Sequence, residues 1–290
     1  MCKSLLDPKT DFVFKQIFGN EDYVDTLISF LNALFKGRPC VKSLELKNTE
    51  ITKILEDNKT SRLDVRARTD TDIELDIEIQ FENTGEIRDR SLHYTANIFP
   101  QILKKNESYK KSRVIAIWIL GENVTNRKDA ISEAYMTFQP SKSDGYEILS
   151  ENERIFYIEL PKFNPQNSDK KDLLNGWLEF IQEPSLMDSS WMENREISKA
   201  MERLKYLSAN DEIRAIADLR QRDLNDRISE RNAAKAEGEQ LGAEKERAKA
   251  DAEKRESAKR MLLKGLDISD VADFLDLSVE EIHEIKKKIQ

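Results

Sequence analysis

The sequence contains few of the residues that most enzymes use for nucleophilic or metal chemistry. It has two cysteines, Cys2 and Cys40, and two histidines, His93 and His283. Two cysteines are too few for a disulfide framework or a cysteine-based zinc site. Two histidines so far apart give little support to a histidine-rich metal site or a Ser-His-Asp triad. We therefore expect any catalytic chemistry to come from carboxylates.

Long hydrophobic runs and phosphate-binding glycine motifs are also missing. No stretch approaches the roughly 20 apolar residues needed to cross a bilayer. The opening residues, MCKSLLDPKTDFVF, lack the apolar segment of a signal peptide. Neither GxxxxGK[ST] nor GxGxxG occurs in the chain. These absences predict a cytoplasmic protein that does not enter a membrane.

Charged residues, in contrast, are abundant. The 290 residues carry 55 acidic and 47 basic side chains, a net charge of −8, with only 9 glycines and 7 prolines. This length suits two structural units better than one core. The charge and the scarcity of loop-forming residues predict that much of the chain is exposed helix.

Helical and extended patterns alternate through the first part of the chain. Asp7 and Pro8 resemble the cap and first residue of a helix, and 21–36 has helical apolar spacing. From about 42 to 81 the pattern has period two, and the apolar run at 112–120 suits a strand buried on both faces. Further elements are predicted as a helix at 86–105 that Pro100 bends or ends, strands near 133–138, 145–149 and 154–160, and a helix around 173–181.

The last third of the chain differs in composition, and we expect three domains at 1–185, 186–260 and 261–290. Interspersed charges of both signs from 195 to 260 are typical of a solvated helix. The final segment predicts two short helices joined by a tight turn, with Ser269 and Ser278 as candidate N-caps. Ser278 with Glu281 has the spacing of a capping box.

The most informative segment is SRLDVRARTDTDIELDIEIQFEN at 61–83, in which apolar residues occupy odd positions and charged residues even ones. This alternation predicts two half-buried strands with acids on one face. Opposed residues of an antiparallel pair share a face, so their numbers must sum to an even value. A three-residue loop at 70–72 gives a sum of 142 and places Asp64 opposite Glu78.

Two interpretations of this hairpin remain open from the residues alone. Carboxylates about 5 Å apart repel each other unless a cation lies between them, and Mg²⁺ would satisfy Asp64 and Glu78. Alternatively, the acids lie on a solvent-facing sheet surface, offset by Arg62, Arg66 and Arg68 in ordinary surface ion pairs.

Asp64 followed by Glu78-Ile79-Gln80 resembles the D…ExK motif of PD-(D/E)XK nucleases. The chain as a whole resembles the Rpn family of recombination-promoting nucleases, also described as PD-(D/E)XK nuclease family transposases. Four stretches carry the resemblance: DPKTDFVFKQIFG at 7–19, LDVRARTDTDIELDIEIQ at 63–80, DRSLHYTANIFPQILKKNESY at 89–109 and VIAIWIL at 114–120.

The resemblance implies an α/β fold, with a PD-(D/E)XK-like mixed sheet flanked by helices and followed by a long charged helix and a small C-terminal helical pair. It implies a metal-dependent DNA endonuclease in which Asp64, Glu78 and the backbone carbonyl of Ile79 hold Mg²⁺, with Mn²⁺ as a substitute. Gln80 occupies the position of the superfamily's lysine, and it would orient the attacking water.

Because Gln80 carries no charge, two alternatives remain. Either Lys15, Arg88 or Arg90 supplies a positive charge from a neighbouring helix, with Arg90 as the preferred phosphate contact, or the metal does most of the work. Asp11 matches the opening motif and would add a metal contact or form an ordinary i,i+4 pair with Lys15. For Tyr94, we favour a half-buried core aromatic over an accessory site residue.

A second function stays open, in which the core is inactive and the helical tail assembles or recruits partners. Gln80, the acidic balance and the charged spacer favour that alternative. DNA recognition by the tail is disfavoured because Glu280 and Glu281 open its last helix. A homodimer is expected, since two active sites could then act on both DNA strands.

Overall fold

The computed structural model describes residues 4–47, 65–81, 85–102, 113–138 and 147–289. The chain divides into two compact units, Met1–Asp223 and Leu224–Gln290. This boundary lies later than the one we drew at residue 185, because a helix at 195–209 packs into the first unit. In the described part of the chain, none of the helices combines the length and apolar character needed to span a membrane.

The first unit is built around one mixed six-stranded sheet. Strands β1, β2 and β3 form an antiparallel meander, β3, β4 and β6 run parallel, and β5 pairs antiparallel with β6 at the edge. The strands are β1 (Leu44–Lys47), β2 (Val65–Thr69), β3 (Ile73–Gln80), β4 (Arg113–Leu120), β5 (Ile131–Phe138) and β6 (Glu147–Glu159).

Helices precede the sheet, cross between its strands and follow it. They are α1 (Asp11–Phe18), α2 (Val24–Phe35), α3 (Ile87–Ile102), α4 (Leu173–Gln182), α5 (Arg195–Ala209), α6 (Asp211–Leu263), α7 (Ile268–Leu275) and α8 (Val279–Lys287). The mixed sheet and its flanking helices confirm the predicted α/β fold class.

The odd-numbered face of the β3 strand lies in the main hydrophobic core. Its isoleucines and leucine are buried together with apolar residues of α1, α2, α4 and α5. At the centre, Phe18 and Phe30 pack on Trp177 with ring centroids 5.6 and 6.3 Å apart. Gly176 of α4 allows Trp191 to pack close to the helix, because a Cβ there would lie 2.7 Å from the Trp191 ring.

The even-numbered face of β3 is covered by α3, so the expectation of a half-buried strand is wrong. Ile87 and Tyr94 of α3 pack on Ala116, Trp118 and Leu120 of β4, which share this face. Glu74, Asp76 and Glu78 are consequently 1%, 0% and 4% exposed. The alternative of a solvent-facing row of acids is therefore also wrong.

Several predicted boundaries differ from those observed. Asp7 does not cap α1: its carboxylate accepts from the Lys9 N–H in a turn, and the helix begins at Asp11. The strands predicted at 145–149 and 154–160 are one strand, β6, whose pairing with β5 shifts register near Met136.

The predicted charged helix from 195 is two helices, separated where the Asn210 side chain accepts from the N–H groups of Glu212 and Ile213. Helix α5 buries Ile197, Ala200, Met201, Leu204 and Leu207 in the core. The many charged residues of this segment made its apolar face hard to recognise in the sequence. Residues 229–253 of α6 are all exposed, as the charge pattern predicts.

The second unit contains its own small hydrophobic cluster, formed by the end of α6 with α7 and α8. The two predicted short helices and the capping box of Ser278 with Glu281 are confirmed. Ser269 does not cap α7, which begins after Asp267. Its hydroxyl lies 3.2 Å from Asp267 Oδ2.

Candidate nuclease site

The hairpin of β2 and β3 has the predicted register. Val65 lies opposite Ile77 and Arg66 opposite Asp76, so each pair sums to 142. Residues 70–72 form the three-residue loop, and Asp72 adopts a positive φ of 59° there. The Asp70 carboxylate accepts from the N–H groups of Lys42 and Ser43, and these hydrogen bonds hold its pKa below the ordinary value.

The described ladder stops one residue short of the predicted carboxylate pair. Asp64 lies outside the described residues, and its pairing with Glu78 stays a prediction. Continuing the observed register by one residue would bring the two together, because Val65 and Ile77 are the preceding pair. A direct antiparallel pair has Cβ atoms about 5 Å apart, which suits a shared cation.

The row of acids on β3 separates into two environments. Glu74 is surrounded by cations: Lys47 Nζ lies 2.8 Å from its carboxylate, Arg68 Nε 3.5 Å and Arg66 Nε 3.7 Å. Three positive side chains within 4 Å thus offset the charge of this buried carboxylate. Glu74 is therefore a structural residue at the β1–β2–β3 junction.

Further along β3, Asp76 and Glu78 lie two residues apart on the same face. Both carboxylate oxygens of Asp76 and Oε1 of Glu78 are buried from solvent. Glu78 is in register with Trp118 on β4, a side chain that is fully buried. The carboxylates are thus held in a low-dielectric setting, where their interaction with a cation is stronger than in water.

Gln80, at the end of β3, contacts the arginine that we preferred from the sequence. Arg90 Nη1 donates to Gln80 Oε1 at 3.1 Å, and Nη2 donates to the Tyr94 hydroxyl at 3.2 Å. The guanidinium also lies 5.7 Å from the Trp118 ring centroid. Helix geometry explains the contact between Arg90 and Tyr94, because the two residues are one helical turn apart on the face of α3 that covers the sheet.

Helix α3 contacts the hairpin at its other end as well. Arg66 of β2 donates from Nη1 to Gln101 Oε1 at 2.9 Å. Gln101 follows Pro100, which lies inside α3 without ending it at once. The helix is therefore connected to the strand pair near both of its ends.

The other candidate residues occupy different surroundings. Arg88 donates to the carbonyl oxygen of Val124, and so it anchors the loop that follows β4. Asp11 forms an ion pair with Arg220 at 3.1 Å. Lys15 is half-buried on α1, and a contribution from it to the site stays a prediction. Tyr94 is half-buried and packs on Trp118 with ring centroids 5.5 Å apart, in keeping with the core-aromatic interpretation.

Sequence reasoning did not single out Asp76 or Glu159. Asp76 belongs to the same alternating row as Glu78, and that row was the available signal. Glu159 ends β6 and is fully buried; it accepts from the Thr125 N–H and hydroxyl and from Lys162 at 2.7 Å. Lys162 is only three residues away, but the other partners of Glu159 lie more than thirty residues earlier, in the 121–130 loop, and the local sequence does not reveal them.

The donor set on β3 fits a hard divalent cation. Mg²⁺ binds through one or two carboxylates together with carbonyl oxygens, water and phosphate, and Asp76, Glu78 and the Ile79 carbonyl are oxygen donors of that kind. Among the described residues, no group of three or more histidine, cysteine or acidic side chains forms a closed metal cage.

Comparison with known proteins supports the nuclease interpretation at the level of the family. Neither curated proteins nor solved structures gave a match. The family model described as PD-(D/E)XK nuclease family transposase matches residues 8–234, which include the whole sheet, the hairpin and α3. The fold, the buried β3 acids and this match together show that the chain belongs to the PD-(D/E)XK nuclease family transposases.

Proposed function

We propose that the protein is a metal-dependent endodeoxyribonuclease that hydrolyses phosphodiester bonds, in processes related to DNA recombination. The observation that carries the proposal is the contact between Arg90 and Gln80, two residues along β3 from the buried Glu78. It puts a permanent positive charge beside the position where the superfamily has lysine.

Asp64, Glu78 and the carbonyl oxygen of Ile79 would hold Mg²⁺ or Mn²⁺, with Asp76 as a further carboxylate on the same face. A bound ion of this kind lowers the pKa of a coordinated water and offsets charge that develops on phosphate. The side chains at the end of β3 are proposed to orient the water and bind the phosphate.

Gln80 orients the attacking water in this proposal. Its Oε1 accepts from Arg90, so the amide nitrogen, which can only donate, presents its hydrogens to the oxygen of water or phosphate. Arg90 then binds a non-bridging phosphate oxygen and stabilises the charge of the transition state. The Tyr94 hydroxyl and the Trp118 ring keep the guanidinium in place.

DNA is the proposed substrate, and the overall charge of −8 does not oppose it. Glu74 is offset by three cations at short range. Local positive groups can steer DNA when the net charge of a protein is negative.

The test is nicking of a supercoiled plasmid by wild type, Asp64→Ala and Glu78→Gln, each with Mg²⁺, Mn²⁺ and EDTA. The proposal expects cleavage by wild type with either metal, and a loss on the order of 100-fold in both variants. Glu45→Gln is a matched control, since Glu45 is an exposed acid on β1. Intact plasmid with wild type in both metals would overturn the proposal.

One observation favours the second candidate, an interaction module in which the core no longer cleaves DNA. In the second unit Phe274 is 72% exposed and Leu263 is 71% exposed. Calorimetric titration with Mg²⁺ separates the candidates. A catalytic core requires both Asp64 and Glu78 for binding, whereas an inactive core binds the ion equally with or without them.

A further inference from the structure

A polar cavity lies at the end of the sheet away from Gln80. It has a volume of about 1050 Å³ and is lined where β3 begins at Ile73 and β4 begins at Arg113. Ile73 and Gln80 are the first and last residues of β3, a separation of about 23 Å at 3.3 Å per residue. The cavity is therefore distinct from the candidate nuclease site.

Three arginines line this cavity, each from a different element. Arg38 follows the tight turn after α2, where Lys36 and Gly37 have φ values of 49° and 71°. Arg113 opens β4, and Arg154 lies on β6 in register with Ile115. A loop, the start of one strand and the interior of another thus bring three guanidinium groups to the same cavity.

Most of the nearby acidic charge is already neutralised. Asp72, which also lines the cavity, pairs with Arg68 at 3.1 Å, and Arg154 pairs with Glu133. Arg113 donates to the carbonyl oxygen of Thr71 at 3.2 Å, a neutral partner. Within the part of the chain that the structure describes, neither Arg38 nor Arg113 forms an ion pair. Two guanidinium charges are thus left without an acidic partner.

The rest of the lining is mixed, with the polar residues Thr71 and Asn152 beside apolar and aromatic ones. Ile73 and Ile115 are almost fully buried, so the Tyr135 ring is the main aromatic surface, with the Arg154 guanidinium 5.6 Å from its centroid. Arginine forks bind phosphate oxygens in pairs, whereas apolar and aromatic walls suit a planar organic group. A ligand that satisfies both parts carries phosphate at one end and a flat ring system at the other.

We propose that this cavity binds a nucleoside phosphate through Arg38 and Arg113, with the base against Tyr135. The phosphate chemistry is the same whether the nucleotide is free or forms the 5′ end of a DNA strand. This second site does not depend on the proposed nuclease activity, because it uses none of the carboxylates on β3.

The test is isothermal titration of the full chain in EDTA with dATP, pyrophosphate, a 5′-phosphorylated dinucleotide and its 5′-hydroxyl form. Wild type is expected to bind dATP or the phosphorylated dinucleotide, and the tighter of these two identifies the source. Binding should weaken about 10-fold in Arg113→Gln and further in Arg38→Gln/Arg113→Gln, as expected for lost charge-assisted hydrogen bonds. Arg127→Gln, at an exposed arginine in the 121–130 loop, should bind as wild type.

Failure to bind any of the phosphorylated probes at millimolar concentration would overturn the proposal, as would equal binding by the double variant. Pyrophosphate binding as tight as dATP would overturn the assignment of a nucleotide. If Arg113→Gln does not fold, Arg38→Gln alone decides, because Arg38 is exposed. Glu78→Gln should bind dATP as wild type does, so this result stands apart from that of the nuclease test.

Discussion

Arg90 on α3 donates a hydrogen bond to Gln80 at the end of β3, with Nη1 and Oε1 3.1 Å apart. This contact places a cation from the helix beside a neutral residue of the strand. It leads directly to a prediction on activity, because a residue that contacts the phosphate and a purely structural residue respond differently to conservative substitution.

Arg90→Gln should lower the single-turnover rate of plasmid nicking by on the order of 100-fold, and Arg90→Lys should restore part of it. Gln80→Lys combined with Arg90→Gln should also recover activity, because it returns a cation to the end of β3. Arg88→Gln is the matched control, since Arg88 contacts Val124 instead. A greater loss in Arg88→Gln than in Arg90→Gln would contradict the assignment.

A second prediction concerns the stability of the fold at low pH. Burial raises the pKa of Glu159, but hydrogen bonds from Lys162, Thr125 and the Val124 N–H outweigh it and hold the pKa below its ordinary value. Glu179 behaves in the same way, with Lys170 as its main hydrogen-bond donor.

A carboxyl group whose pKa is lower in the folded state contributes stability above the unfolded pKa of about 4.3. That contribution disappears as the pH falls through the lower folded value. Urea unfolding from pH 7 to pH 3 should therefore show a decline that is reduced in Glu159→Gln and Glu179→Gln. If the stability of both variants depends on pH as that of wild type does, these carboxylates are not the source of the decline.

Third, the same substitution should have opposite effects at two glycines. Gly176→Ala should destabilise the first unit by about 1–3 kcal/mol, because the new Cβ meets the Trp191 ring at 2.7 Å. Gly238→Ala, in α6 with no atom within 4 Å of the added Cβ, should stabilise its helix by about 1 kcal/mol. Calorimetric unfolding of each variant measures both signs, and equal signs would refute the packing argument.

Fourth, two serines that look equivalent in sequence should differ in effect. Ser278→Ala should destabilise α8 by about 1 kcal/mol, because it removes the acceptor for the Glu281 N–H in the capping box. Ser269→Ala should have little effect, since α7 begins after Asp267. Hydrogen exchange of the backbone amides in α7 and α8 distinguishes the two, and comparable losses would contradict the assignment of caps.

The hairpin shows how far sequence could lead. Strict alternation requires opposed residues to sum to an even number. A three-residue loop at 70–72 satisfies this condition, and it predicts the observed pairing of Val65 with Ile77. The burial of Glu78 could not be predicted in this way, since it depends on α3 lying over the even face. Local periodicity does not report which face a distant helix covers.

The abundance of charged residues made other structural features hard to predict from the sequence. In α5 the buried Leu204 and Leu207 lie among lysines and arginines, so composition indicated a spacer where packing forms a core. The neutralisation of Glu74 by Lys47, Arg66 and Arg68 depends on three-dimensional convergence. The contact of Arg90 with Gln80 was easier to predict, because Arg90 lies near the start of the helix that directly follows β3.

The two side-chain contacts near opposite ends of α3 have a mechanical consequence. Arg90 joins the helix to Gln80 at the end of β3, and Gln101 joins it to Arg66 on β2. Arg90 and Gln101 are eleven residues apart, about 17 Å along the helix, so α3 is fixed to the hairpin at two separate points. The Arg90 guanidinium and the β3 carboxylates should then move together as one rigid body when DNA binds. These groups therefore lose little conformational entropy when they reach the reactive arrangement.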